Sequence, residues 1–266
     1  MSKKLRMGVL GLGEGRSIIS ALQSSQAWEL ATVCDLNEEL CRERQKEFGL
    51  AGYTLSYEAM LADPTIDAIG IYTPDQLHGR HIRMALAAGK HVVCTKPVLA
   101  SLAEAADVLA AWRNSGKTVF VGQSSRFFEP MLRQRADFEA GKHGELQAVE
   151  THYHTDGRWF LKKGWSLQSG FSWLFNFLIH AVDLVRWYLP EISEVSGYGT
   201  VGPNTAAYGL NCHDTMTFIL KDSHGRFATV TGSYGKPHLD HAAEAPICCI
   251  LRAADVIRQT AHQRDV

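Results

Sequence analysis

The sequence predicts an α/β protein in two parts: a doubly wound parallel sheet over residues 1–122, then an α+β domain on a largely antiparallel sheet over residues 123–266. Three observations carry this reading. Short apolar runs without clean alternation recur through the first half, separated by helical segments, as strands covered on both faces require. A glycine cluster, Gly11-Leu12-Gly13-Glu14-Gly15, stands at the first strand-to-helix junction. Beyond Gly122 the strands lengthen and begin to alternate.

Taken in order, Met7–Leu10 reads as the first strand, followed by a helix from Arg16 to Ser24 with Ile18, Ile19 and Leu22 apolar. Leu30–Cys34 is the second strand and ends at Asp35. Glu38–Phe48 reads as helix, Met60 lies in a short helix, and Ala68–Tyr72 is a buried strand. The helix around Gly79 to Ala88 stops at Gly89, a suitable left-handed terminator, and His91–Cys94 is the next strand. Ser101 and Glu104 have the spacing of a capping box ahead of a helix from Ala105 to Arg113, and Thr118–Val121 closes the half. In the second half, Leu146–Thr155 is a strand and Trp173–Leu189 a helix stopped by Pro190. Strands Ile192–Gly199, Thr215–Leu220 and Phe227–Ser233 follow, the last two joined by the turn sequence Asp222-Ser223-His224-Gly225. Ile247–Leu251 has the look of one more strand.

A formal charge of -1 gives no reason to expect nucleic acid, which needs a positive surplus. No apolar stretch approaches the ~20 residues of a membrane helix, and none resembling a signal peptide precedes the first strand. Six cysteines without knuckle or CxxC spacing suggest reduced thiols in a cytoplasmic protein.

A glycine turn between strand and helix lets the backbone approach a pyrophosphate, whose charge then sits at the helix N-terminus. Gly11 and Gly13 fill the first two positions of that fingerprint, while Arg16 stands where the third glycine belongs. Gly15 is placed to supply the missing room, and Arg16 to reach a phosphate. Asp35, at the end of the second strand, is positioned to accept hydrogen bonds from the adenosine ribose, and its charge disfavours a 2′-phosphate. The expected cofactor is therefore NAD, with NADP second.

Asn176, His180 and Asp183 follow one another at helical spacings, which places them on one face. A histidine titrates where a base for a secondary alcohol is useful, and a lysine beside a cofactor can stabilise charge on the alcohol oxygen. Asn176 can orient either the histidine or the substrate; Asp183 reads as structural, bonding backbone or an arginine. The bland alternative for His180 is a satisfied core residue, and for Lys96 a surface strand end.

Several segments in order resemble the glucose–fructose oxidoreductase and inositol dehydrogenase (Gfo/Idh/MocA) family. They are Gly11-Leu12-Gly13, Ala62-Asp63-Pro64-Thr65-Ile66-Asp67-Ala68, Thr73-Pro74 with His78, Gly89-Lys90-His91-Val92-Val93-Cys94-Thr95-Lys96-Pro97, and His180 with Asp183. The resemblance implies an NAD-dependent dehydrogenase of a sugar, cyclic polyol or sugar derivative. Lys96 of the Lys96-Pro97 motif and His180 would be catalytic and meet beside the nicotinamide, with no metal required. Thr95 stands where the family has glutamate, and Asn176 where aspartate is common. Thr73, Pro74 and Pro97 would line the cofactor; His78 either does so or caps a helix. Arg126, Arg158, Trp159 and Trp165 suit sugar hydroxyls and ring faces, or an ordinary surface. His152 and His154 share one side of a strand and could begin a metal site with Asp156 or His213, but Tyr153 or His154 as a pocket wall is preferred.

Family members usually run longer, so the polar stretch from Arg252 to Val266 makes the chain look shortened at its C-terminus. A sheet edge or face left open that way is what a partner subunit covers, and the resemblance implies homodimers or homotetramers. The departures at Arg16, Thr95 and Asn176, with the short tail, keep a second reading open: a nucleotide-binding regulatory or structural protein without turnover.

Overall fold

The short apolar runs of the first half become five parallel strands in the computed structural model, which describes residues 3–167, 171–234 and 247–254. The chain divides into two units, Met1–Gly122 and Gln123–Val266.

In the first unit the elements are β1 (Leu5–Leu10), α1 (Arg16–Ser24), β2 (Trp28–Cys34), α2 (Glu38–Phe48), α3 (Tyr57–Ala62), β3 (Ala68–Ile71), α4 (His78–Ala87), β4 (His91–Thr95), α5 (Ala105–Ser115) and β5 (Val119–Gly122). The strand order is β2-β1-β3-β4-β5, all parallel. All four residues of β3 are buried, as a central strand covered on both faces must be. The chain places β2 on one side of β1 and then crosses back to place β3 on the other, so the C-terminal ends of β1 and β3 flank the switch point where such sheets bind ligands.

Local chemistry sets the helix ends. Asn37 and Ser56 accept from the Leu40 and Ala59 amides at the starts of α2 and α3. Gly49 ends α2 at φ 61°, a backbone conformation that L side chains resist. The expected capping box at Ser101 takes a different form. Ser101 Oγ accepts from Ala103 N in a 3₁₀ turn, while the Glu104 carboxylate lies against Gly79, where a Cβ would stand 2.7 Å from Oε1. The Glu104 side chain thus packs against the first turn of α4. Lys90 is 6% exposed, and its Nζ donates to the carbonyls of Asp63 (2.6 Å) and Ile66 (2.8 Å). A buried ammonium is tolerable only with such partners, and here it closes the turn leading into β3.

The second unit contains α6 (Glu129–Glu139), β6 (Glu145–His154), α7 (Arg158–Leu161), α8 (Ile179–Tyr188), β7 (Ile192–Thr200), α9 (Pro203–Ala206), β8 (Thr215–Asp222), β9 (Phe227–Ser233) and β10 (Ile247–Ala254). Its sheet runs β10-β6-β9-β8-β7; β6 and β9 are parallel and the other pairs antiparallel. Alternation sends Met216 and Leu220 of β8 and Ala228 and Val230 of β9 into a core shared with Leu184 and Val185 of α8. On the other face Thr217 pairs with Tyr198 and Thr231, and Ile219 with Ser196 and Thr229. That face shows Tyr198 (89% exposed), Ile219, Phe227 and Ile250 to solvent. The Asp222–Gly225 turn closes as expected: Asp222 Oδ1 accepts from the His224 and Arg226 amides, and Gly225 takes φ 83°.

The helix expected over 173–189 is not uniform. Leu174–Leu178 is a π turn, and regular α-helix begins at Ile179. Asn176 therefore sits in a wider turn than its spacing to His180 implied, and such single π turns recur at functional positions. Among the described residues no helix is long and apolar enough to cross a membrane.

Candidate active site

Each glycine of the β1–α1 loop meets a different constraint. Gly11 has φ +88°, and a Cβ there would lie 2.6 Å from the Tyr72 backbone at the end of β3. At Gly15 a Cβ would stand 2.3 Å from Gly11 O and 3.0 Å from Val9, so this residue lets α1 approach β1 closely. That is the task of the fingerprint's third glycine, fulfilled one position early. A Cβ at Gly13 meets nothing within 4 Å. The loop thus packs tightly on both sides of an open middle at the N-terminus of α1, which fits a pyrophosphate held by backbone amides.

Asp35 is tied into this loop: Oδ2 accepts from Leu12 N at 2.8 Å and Oδ1 from Asn37 N at 2.9 Å. Each carboxylate oxygen keeps capacity for a further donor such as a ribose hydroxyl. Arg44 of α2, which the sequence did not single out, donates to Leu12 O (3.3 Å) and pairs with Glu47. Arg16 also pairs with Glu47, whose carboxylate raises the Arg16 pKa, so in this structure its charge is directed to α2.

At the ends of β3 and β4, His78 is fully buried, with Nδ1 2.7 Å from Pro97 O and Nε2 2.8 Å from Thr73 O. It staples the Thr73-Pro74 segment to Lys96-Pro97, whose peptide bond is cis. His81, one helical turn on and also missed by sequence reading, has Nδ1 3.0 Å from Thr73 Oγ1. Burial, then the neighbouring His78 and Arg80, push its pKa down to about 4, which keeps the ring neutral near pH 7. The spacing of His78 and His81 along α4 was a usable signal.

In the second unit, His180 opens α8 and is 9% exposed; its Nδ1 lies 3.0 Å from Ser125 Oγ. The ring of Tyr153 stands edge-on to it, 5.9 Å between centroids. Arg126 grips Asp183 with two parallel bonds, Nε to Oδ2 at 2.6 Å and Nη2 to Oδ1 at 2.8 Å, and lies 5.4 Å from the Trp187 ring centroid. That fork makes Arg126 a brace on α8. Asn176 is buried, and its Nδ2 donates to Ser172 O at 3.2 Å.

The remaining candidates are dispersed. Arg158 is paired in the same bidentate way with Asp156. Trp159 is 54% exposed, with Lys163 Nζ 4.9 Å above its ring. The Trp165 side chain lies outside the described residues. His154 stacks on His152 at 5.3 Å and approaches Thr231 Oγ1 at 3.4 Å. Among the described residues no three His, Cys, Asp or Glu side chains are placed to hold a metal ion.

Comparison with known proteins agrees with this geometry. A family model described as an oxidoreductase family with an NAD-binding Rossmann fold matches residues 5–123, and a GFO/IDH/MocA C-terminal domain model matches residues 131–245. A 1-carboxy-3-chloro-3,4-dihydroxycyclohexa-1,5-diene dehydrogenase of Comamonas testosteroni is 26% identical over 233 residues, covering 86% of this chain and 58% of the relative. D-xylose 1-dehydrogenase (NADP(+)) 2 of Haloferax volcanii is 29% identical over 238 residues, covering 88% and 70%. The chain thus spans little more than half the length of the first of these. A crystal structure of an Agrobacterium radiobacter oxidoreductase with NAD+, L-tartaric acid and magnesium superposes with a TM-score of 0.84 at 20% identity. It covers 94% of this chain and 72% of its own, a likeness of fold.

Proposed function

Because the chain belongs to the Gfo/Idh/MocA oxidoreductase family, we propose that it oxidises a secondary alcohol of a sugar, cyclic polyol or sugar derivative, or reduces the matching ketone, with NAD. The observation that carries the reading is His180, a buried histidine engaged at Nδ1, in a chain whose first unit is an NAD-binding Rossmann fold. The relatives named for a cyclic dihydroxy compound and for D-xylose support the substrate class.

The Gly11–Gly15 loop would hold the pyrophosphate, Asp35 the adenosine ribose, and the Thr73-Pro74 and Lys96-Pro97 segments the nicotinamide side. Bound there, NAD supplies the hydride acceptor. Lys96 would donate a hydrogen bond to the substrate oxygen and stabilise its developing charge; His180 would take the hydroxyl proton on its second ring nitrogen. Asn176 would orient His180 or the substrate, with Trp159, Trp165 and His154 against the sugar. The reading requires Lys96 and His180 to reach one substrate molecule. The test is NADH absorbance over a panel of aldoses, inositols and cyclic diols. Turnover on one class is the expected result; tight NAD binding without turnover on any of them would favour the non-catalytic reading.

Asp35→Ala is expected to lower the preference for NAD over NADP at least ~10-fold, a change of about 1.4 kcal/mol. It also frees the Leu12 amide, so affinity for both cofactors should fall. An unchanged preference ratio in kcat/KM would mean that the ribose is misplaced.

The exposed face bearing Tyr198, Ile219, Phe227 and Ile250 is proposed as the contact between two copies of this chain, in a homodimer or within a homotetramer. Sedimentation at micromolar concentration should show an oligomer that Tyr198→Lys with Ile219→Lys dissociates; a monomer would remove this proposal. Six free cysteines support a reducing, cytoplasmic setting.

A further inference from the structure

We propose that Ser125 is the positioning residue that holds His180 in the tautomer with its proton on Nδ1, leaving Nε2 as the proton acceptor. The inference rests on the acid–base role proposed for His180.

A neutral imidazole carries one N–H and one bare nitrogen, and the hydrogen bond at one nitrogen decides the state of the other. Ser125 Oγ lies 3.0 Å from Nδ1, and Ser125 is 2% exposed, so water is poorly placed to substitute for it. A hydroxyl can donate or accept. If it donated to Nδ1, the ring proton would sit on Nε2 and that nitrogen could accept nothing. If it accepts from Nδ1–H, Nε2 offers its lone pair. The substrate O–H proton would then pass to Nε2 as the carbinol hydrogen leaves with its bonding pair as hydride, for which NAD would be the acceptor. The resulting imidazolium keeps the same Nδ1–H···Oγ bond. Only the accepting arrangement survives both protonation states without turning the hydroxyl.

The geometry makes this arrangement rigid. Ser125 lies in the 3₁₀ turn Ser124–Phe127, and the next residue, Arg126, is locked to Asp183, three residues after His180 on α8. The turn is therefore pinned to α8 at both Ser125 and Arg126. The edge of the Tyr153 ring stands against the imidazole from β6, opposing rotation about its χ angles.

The test uses the full chain labelled with ¹⁵N-histidine, with the His180 resonances identified by their loss in His180→Gln. Wild type and Ser125→Thr should show a protonated Nδ1 and a bare Nε2; Ser125→Ala should shift toward protonated Nε2. With the substrate found in the panel above, Ser125→Ala should lower kcat on the order of 10-fold or more, short of the ~10²–10⁴-fold of removing the base. The KM for NAD should stay constant and Ser125→Thr should restore the rate. A wild-type ring protonated on Nε2, or a tautomer indifferent to Ser125→Ala, overturns the inference. A shifted tautomer in a protein whose His180→Gln variant retains full activity, or in one that turns over nothing, overturns the acid–base reading instead and leaves Ser125 as the setter of the tautomer.

Discussion

His180→Ala is expected to lower kcat by ~10²–10⁴-fold, the usual contribution of a positioned general base, while NAD affinity stays nearly constant. Lys96→Ala should lower kcat on the order of 10²-fold by removing a donor to the developing alkoxide. The two variants separate the proposed site from a structural account. A histidine that merely satisfies Ser125 inside the core would cost stability when removed, because Ser125 Oγ loses its ring partner, but turnover per folded molecule would be unchanged. Measuring kcat together with the thermal midpoint distinguishes them. Full activity per folded molecule in either variant would remove that residue from the mechanism.

Three alanine substitutions in one loop should give two different outcomes. Gly11→Ala and Gly15→Ala force a Cβ to within 2.6 Å and 2.3 Å of backbone atoms, and Gly11 adds a positive φ. Each should cost about 1–3 kcal/mol of stability and deform the loop. Gly13→Ala meets nothing within 4 Å, so its thermal midpoint should match the wild type. All three should weaken NAD binding by roughly 100-fold, equivalent to about 2.7 kcal/mol. For Gly13 the loss would come from occupied space alone. Calorimetric titration with NAD alongside thermal melts reads both quantities. A Gly13→Ala protein that binds NAD normally would show that the pyrophosphate does not lie over this loop.

The strands of both units and their main helices were legible, because each apolar run carried its own period and its own stop. Signals confined to a few neighbouring residues are legible: Gly89 after α4, the Asp222 turn. Features decided by packing are not. Glu104 has the spacing of a capping partner for Ser101, yet the fold brings Gly79 within its reach. The π turn at Leu174–Leu178 contains no glycine or proline, and its residues give no sign of the wider turn. Helix α6 does carry a signal in the sequence, Glu129-Pro130 at its first turn. At the site, the histidine and the lysine could be named from residue type and motif. Ser125 could not, since a serine acquires its role only when a turn 55 residues away in the chain is placed beside His180.

The strand order of the second sheet also bears on how this protein is made. Strand β6 lies between β9 and β10; Thr151 bonds a carbonyl 78 residues later, and Glu150 pairs with Arg252, 102 residues later. A ribosome therefore releases β6 long before either neighbour exists, so one of its edges waits for β9 and the other for β10. The waits in the first sheet are shorter: β2 pairs with β1 as the next strand made, and β3, β4 and β5 then add to the other edge in the order they emerge. Contacts of long sequence separation form slowly, and exposed edges invite wrong pairing meanwhile. The nascent chain should thus carry a folded nucleotide-binding unit ahead of an unfinished sheet, and chaperone dependence should concentrate in the second unit.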